Sequence, residues 1–174
     1  MTTANLYVDW DAVYKQELPR IYNYFRYRLG DNAVAEDLTS TTFEKAWRAR
    51  ERYRRDRSAF STWLFTIARN VATDYLRQHR ADVSLDALHD HPAPDTPDTI
   101  YARHAEIAQL GALLAQLPDR DRELIALKYG AQLNNREIAK LVKLSESNVG
   151  TMMHRIVTKL RKQWTMNDEV AGSK

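Results

Sequence analysis

The chain has 174 residues, 44% of them hydrophobic, and no cysteine. That admits one ordinary domain or two small ones with packed cores, and excludes a disulfide framework, a thiolate nucleophile and a cysteine-based zinc site. The formal charge of +3 is unevenly spread: 14 basic residues face 10 acidic ones over residues 1–80, none face five over 81–100, and 12 face eight over 101–174, so two blocks suited to a polyanion flank an acidic spacer.

The N-terminal residues carry no apolar signal segment, and no window approaches the length of apolar sequence needed to span a bilayer. The expectation is a soluble, cytoplasmic protein without membrane insertion. No convincing strand is found, so the fold class expected is all-α: two small helical domains joined by a flexible linker, with a helix-turn-helix in the second.

The first helix is expected over 11–29, with Val13, Leu18, Ile21, Phe25 and Leu29 on one side and Gly30 ending it. Asp31 then caps a helix whose inward face is read as Val34, Leu38, Phe43, Ala46 and Trp47. Its neighbouring outward rows hold Glu36, Asp37, Ser40, Thr41 and Glu44, a polar and acidic face. Between this helix and the next, residues 48–57 hold six arginines around Tyr53, offset only by Glu51 and Asp56. Arginine binds phosphate and stacks on bases, and Tyr53 with nearby Trp63 adds aromatic surface of the kind that grips single-stranded nucleic acid. A solvated charge run at a helix end is the plainer reading of the same residues.

A third helix is expected over 58–80. Phe60, Trp63, Leu64, Ile67, Ala68, Val71, Tyr75 and Leu76 form its apolar stripe, and Arg69, Asn70, Thr73, Asp74, Arg77 and Arg80 lie opposite. Residues 81–99 contain Pro92, Pro94 and Pro97 with little apolar periodicity after Leu88, and read as a linker. His89 and His91 lie there near Asp86, Asp90 and Asp95, but a proline-rich segment does not hold metal ligands in fixed geometry, so no metal and no cofactor are expected. No Ser/His/Asp arrangement can be drawn from the scattered histidines, and nothing asks for catalysis. The domains are therefore placed at 1–80 and 103–174, with the joint at 81–102.

In the second domain Asn134 and Glu137 have the spacing of a capping box, and Ile138, Ala139, Leu141 and Val142 give the short helix after it an apolar face. Ser145 opens another helix, in which Val149, Met153, Ile156 and Leu160 recur at helical spacing. Its other side carries Asn148, Thr151, Met152, Arg155, Lys159 and Arg161. Small hydrogen-bonding residues come first and cations later, as in a helix whose N-terminal turns read base edges while its later turns meet phosphates. An amphipathic helix pair in a bundle is the bland alternative.

Three stretches match one family in the right order. The segments Gly30-Asp31, Ala35-Glu36-Asp37-Leu38-Thr39 and Phe43-Glu44-Lys45-Ala46-Trp47, followed by residues 60–70 (FSTWLFTIARN) and Asp74-Tyr75-Leu76-Arg77, resemble region 2 of the extracytoplasmic-function sigma factors, a group of the sigma-70 family. Leu117-Pro118, Arg122-Glu123, Tyr129, Glu137-Ile138-Ala139 and residues 145–155 resemble region 4. The resemblance covers roughly four-fifths of the chain, and the ordered pair is far more specific than a lone helix-turn-helix.

The resemblance implies a protein that binds core RNA polymerase and directs it to promoter DNA, performing no covalent chemistry itself. Region 2 would open the minus-ten element and region 4 would read the minus-thirty-five element. By the same analogy Asp37, Ser40, Thr41 and Glu44 would dock on the clamp helices of the largest polymerase subunit; many relatives carry Gln-Glu where this chain has Ser40-Thr41. Arg54, Arg55, Ser58, Ser61, Asn70, Asp74 and Arg77 would capture an extruded non-template base and hold the separated strand, returning the few kcal/mol that extrusion costs. Asn148, Gly150, Thr151, Met152 and Arg155 would read the upstream element, with Arg136 and Lys159 on phosphates.

Relatives often place glycine in the turn where Lys143 stands. Keeping that backbone would strain Lys143 by about 1 to 2 kcal/mol, and a shifted turn is the alternative. Many relatives are held inactive by an anti-sigma factor, and the linker would permit a compact closed form. The free chain is expected to be a monomer. The competing reading is a stand-alone helix-turn-helix regulator, dimeric on a palindromic duplex.

Overall fold

The computed structural model describes residues 9–54, 56–79 and 97–171, and among them the only regular structure is helical. Helix α1 (Trp10–Leu29) starts at Asp9, whose carboxylate accepts from the Ala12 amide, and ends at Gly30 in the left-handed conformation, φ 78°. Glycine adopts that backbone without steric cost, so the chain turns sharply into α2 (Asn32–Arg48). Asp31 caps α2 by accepting from the Val34 amide.

The buried row of α2 is Ala35, Thr39, Thr42, Phe43 and Ala46. The two threonines escape a hydropathy reading because their hydroxyls look polar, yet Thr39 donates to the Ala35 carbonyl and Thr42 to the Leu38 carbonyl. With that bond made locally, only methyl and methine groups meet the core. Trp47, expected inside, is 51% exposed. It rests edge-on to Trp10 at 5.4 Å while the Arg50 guanidinium lies 4.2 Å over its ring.

A single 3₁₀ turn (Arg50–Arg52) leads toward α3 (Phe60–Gln78), which buries Leu64, Phe65, Ala68, Val71 and Ala72. Helix α4 (Pro97–Ala115) begins inside the stretch assigned to the joint. Proline is compatible with a first helical turn, where its missing N–H would have had no partner. Helix α5 (Asp119–Ile125) runs into a π turn, Ala126–Gly130, closed by the Ala131 amide on the Ala126 carbonyl at 2.9 Å. Helices α6 (Asn135–Val142) and α7 (Glu146–Ala171) complete the second half.

The two halves share one core. Tyr24, Phe25, Leu64 and Phe65 from the first pack in the same cluster as Leu124, Leu127, Leu133 and Ile138 from the second. Helix α1 is the centre of this arrangement, with α2 on one flank and the π turn on the other. Charged groups hold the seam as well. Arg28, almost fully buried, makes a forked pair with Asp119 at 2.6 and 2.8 Å, and Arg69 reaches Glu123 at 2.8 Å while donating to the Leu141 carbonyl. Arg20 donates to the Ala131 carbonyl at 2.9 Å and is oriented by Glu17, whose carboxyl burial pushes above its ordinary range against the opposing pull of Arg20.

Candidate nucleic-acid interface

Helix α6 is fixed at its start by both arms of the capping box: the Glu137 amide donates to Asn134 Oδ1 at 2.9 Å, and the Asn134 amide to Glu137 Oε2 at 2.8 Å. Lys143 stops it in the left-handed conformation, φ 56° and ψ 46°, so the turn keeps the backbone that glycine favours. Two residues later the Ser145 hydroxyl accepts from the Asn148 amide and opens α7. A three-residue turn with one left-handed residue sets two helices at an angle, which is the geometry of a helix-turn-helix. We predict that Lys143→Gly raises stability by about 1 kcal/mol, the strain relieved exceeding the entropy that glycine adds to the unfolded chain. A thermal melt showing no gain or a loss contradicts it.

Along α7 the buried stripe is Val149, Met152, Met153 and Ile156. Met152, assigned above to base reading, is therefore corrected to a core residue: at 100° per residue it falls on the edge of the stripe between Val149 and Ile156. Gly150 also turns from the open face. A side chain there would sit against the Asn135 amide nitrogen at 3.6 Å, so the glycine lies over α6. Asn148, Thr151, Arg155 and Lys159 remain on the exposed side. Ser147, His154 and Thr158 share that exposed side and were missed, because the apolar stripe had to be placed before its opposite face was defined.

The cations of this face are lightly tethered. Arg155 stands 3.8 Å from Asp121, and Arg136 3.4 Å from Glu146, both with largely exposed guanidinium groups. The Arg136–Glu146 pair is exposed on both sides and contributes little in water, so a phosphate can displace its carboxylate at small cost, whereas Asp121 is largely covered and only the Arg155 end of its pair faces solvent.

In the first half the residues assigned to the melted strand divide into two places. Asn70, Asp74 and Arg77 lie along one outward row of α3, where Arg77 pairs with Asp74 at 3.0 Å. Ser61 is nine residues, or two and a half turns, before Asn70, so it projects from the opposite side of the helix toward the core. It is half-buried. Arg54 is exposed and grips Asp56 through two bonds of 3.0 Å, which hold the Asp56 carboxyl below its ordinary range. Arg55 lies outside the described residues, as do His89 and His91. Ser58 is half-buried, its carbonyl accepting from the Tyr53 hydroxyl at 3.1 Å.

Tyr53 and Trp63 are engaged with each other and with Phe60, ring centroids 5.2 to 5.3 Å apart. The aromatic surface left open at this end is Trp47 with Arg50 stacked on it. Periodicity placed Trp47 inside, which hid this surface.

On the outer face of α2, Asp37, Ser40 and Glu44 are exposed. The Thr41 hydroxyl is turned back to the Asp37 carbonyl at 2.9 Å, and Glu44 pairs with Arg48. Residues 37, 40, 41 and 44 lie within two turns on one side, so they form a continuous surface. Among the described residues no helix is long and apolar enough to cross a membrane.

Comparison with known proteins accounts for both halves. Sigma-70 region 2 matches residues 13–81, and Sigma-70 region 4 matches residues 104–160. The ECF RNA polymerase sigma factor SigM of Bacillus subtilis (strain 168) is 30% identical over 169 residues, covering 91% of this chain and 98% of SigM. RpoE of Cereibacter sphaeroides, another ECF sigma factor, is 34% identical over 123 residues, which is 70% of this chain and 64% of that protein. The fold is similar to that of the sigma factor RpoE of Bartonella quintana, solved with the anti-sigma factor NepR, with a TM-score of 0.73 at 21% identity over 90% of this chain and 97% of that one. A helix-turn-helix behind an arginine-rich helical domain, matched along nearly its whole length by SigM, leaves one conclusion: the chain belongs to the ECF RNA polymerase sigma factors.

Proposed function

We propose that the two halves divide promoter recognition between them, α7 reading intact duplex at the minus-thirty-five element and α3 with the 50–58 segment holding the melted minus-ten strand. The observation that carries this reading is the row Asn148, Thr151 and Arg155, exposed on the first turns of α7 immediately after the left-handed turn at Lys143. Hydrogen-bonding tips at the entering end of a helix discriminate base edges, while Lys159 and Arg136 supply charge for phosphates. Asn70, Asp74, Arg77 and Arg54 serve the separated strand, joined by Trp47 as a stacking surface backed by Arg50.

The outer face of α2, with Asp37, Ser40, Thr41 and Glu44, docks on core polymerase. RNA synthesis belongs to core, so this chain acts by positioning and not as an enzyme. It is monomeric until it joins core, and an anti-sigma factor would act by covering the same exposed faces. A stand-alone regulator does not need the region 2 half, which spans residues 13–81.

The test is Arg155→Ala in reconstituted holoenzyme. Removing one base-reading arginine is expected to weaken binding at the cognate upstream element by about 1 to 3 kcal/mol and to relax sequence preference there, with core association unchanged. An equal loss on unrelated duplexes would reduce Arg155 to a phosphate contact and remove the reader assignment.

A further inference from the structure

We propose that Asn135, at the start of α6, is a further reader of the upstream element: its side-chain amide nitrogen takes the place left open by Gly150 on α7 and selects guanine. The proposal rests on the division of recognition just described, with α7 on intact duplex.

Gly150 lies in the second turn of α7. Its neighbours one turn away on the same side of the helix are Ser147 and His154, both exposed. A helix entering a groove presents side chains along such a row, and at 150 the row has none. The gap is occupied from the neighbouring helix. A Cβ on Gly150 would stand 3.6 Å from Nδ2 of Asn135, so this amide lies where a side chain of α7 would begin. Arg136, the next residue of α6, stands 3.4 Å from Glu146 in the first turn of α7, which places this end of α6 beside the entering end of α7.

The direction of the amide is set from its other side. Lys128, in the π turn, donates from Nζ to Asn135 Oδ1 at 3.0 Å. An ammonium group only donates, so the amide oxygen must face Lys128 and the amino group must face away. Among the described residues Nδ2 donates to no protein group, and it is not one of the buried polar atoms left without a partner, so it reaches solvent. Its two N–H bonds are offered to whatever lies against α7.

The choice of base follows from this anchor. A free asparagine pairs with adenine through both ends of its amide, accepting from N6 and donating to N7. With its oxygen drawn to Lys128, Asn135 presents donors alone. Guanine offers two acceptors side by side in the major groove, O6 and N7, whereas adenine and cytosine each present an amino group there. The positive charge of Lys128 behind the amide favours the acceptor-rich edge further.

The experiment uses holoenzyme reconstituted from the full chain and core polymerase, given a duplex library randomised across the upstream element, and the bound fraction is sequenced. The parent, Asn135→Asp, Lys128→Met and Arg155→Ala are compared. Aspartate keeps the shape of asparagine and suits the first turn of a helix, so the fold should hold, which the thermal midpoint checks. It removes both donors. Asn135→Asp should therefore lose about tenfold of the preference for guanine at one position of the element and leave the other positions as they were. Lys128→Met frees the amide oxygen, so preference at that same position should move from guanine toward adenine, a change that a packing role for Lys128 does not produce.

Equal loss on every sequence in Asn135→Asp would make the residue a phosphate contact, and an unchanged profile would make it structural; either result overturns the proposal. An unmoved preference in Lys128→Met would remove the anchor, and the guanine assignment with it. Should Arg155→Ala relax its own position while Asn135→Asp changes none, this proposal alone falls. Should neither variant alter the profile, the reading of the upstream element by α7 falls, and this proposal with it.

Discussion

Asp37→Arg is expected to weaken association with core polymerase by about 2 kcal/mol, roughly thirtyfold, while leaving the fold intact. Asp37 sits on the open side of α2, and among the described residues its side chain makes no hydrogen bond or ion pair: the Thr41 hydroxyl bonds to its backbone carbonyl, which arginine also supplies. Surface replacements of this kind change stability by only a few tenths of a kcal/mol. The face it belongs to is acidic, with Glu36 and Glu44 nearby, and a partner complementary to it must offer positive charge. Reversing the sign at its centre removes an attraction and adds a repulsion, so both association rate and affinity fall. Competition between the variant and the parent for purified core enzyme measures the loss. Equal competition would mean that α2 docks elsewhere, and the assignment of Ser40, Thr41 and Glu44 would fall with it.

Phe65→Ala should cost about 3 to 5 kcal/mol of stability, the range for truncating a fully buried phenylalanine. Phe65 is entirely excluded from solvent, meets Tyr24 edge-on at 5.9 Å, and receives the Arg20 guanidinium 5.5 Å over its ring. Those neighbours tie it to α1 and, through Arg20, to the Ala131 carbonyl across the seam. The cavity left behind sits where the halves meet, in a protein whose whole stability is on the order of 5 to 15 kcal/mol. The thermal midpoint should fall by about 10 °C. A shift of 2 °C or less would show that the site collapses to fill the space. Met166→Ala, at an exposed position on α7, serves as the control with no expected change.

What the sequence made legible is what local chemistry encodes. Asp31, Gly30, the Asn134 and Glu137 pair and Ser145 each act within one turn of the chain, and the structure places the helix ends at those residues. The kept backbone at Lys143 was one of two geometries left open, and the cost of a left-handed lysine was readable while its acceptance was not. Hydropathy failed where polarity and burial part company. Thr39 and Thr42 are buried because each hydroxyl is satisfied one turn back, and Trp47 stays half outside, where its ring finds partners in Trp10 and Arg50 instead of the core. Met152 failed for a different reason: a residue at the margin of an apolar stripe belongs to either face until the neighbouring helix is in place.

The seam was not legible at all. Arg28 and Asp119 are 91 residues apart, and Arg69 and Glu123 are 54 apart, so no periodicity or spacing connects them. Each reads locally as an ordinary surface charge. Only the fold shows that Arg28 is nearly buried, or that Gly130 is glycine for the sake of a backbone on another helix. The dependence of the candidate site on its support follows from this, since α3, which carries the residues proposed for the melted strand, is joined to α5 through one of those long-range pairs.

Run-off transcription with purified chain, purified core RNA polymerase and the native upstream DNA decides whether this chain directs initiation. Transcripts of one defined length are expected, lost when either the minus-ten or the minus-thirty-five element is scrambled, and absent when core is supplied alone. No transcript from the reconstituted enzyme, or tight binding of the chain by itself as a dimer to palindromic duplex, would contradict that role.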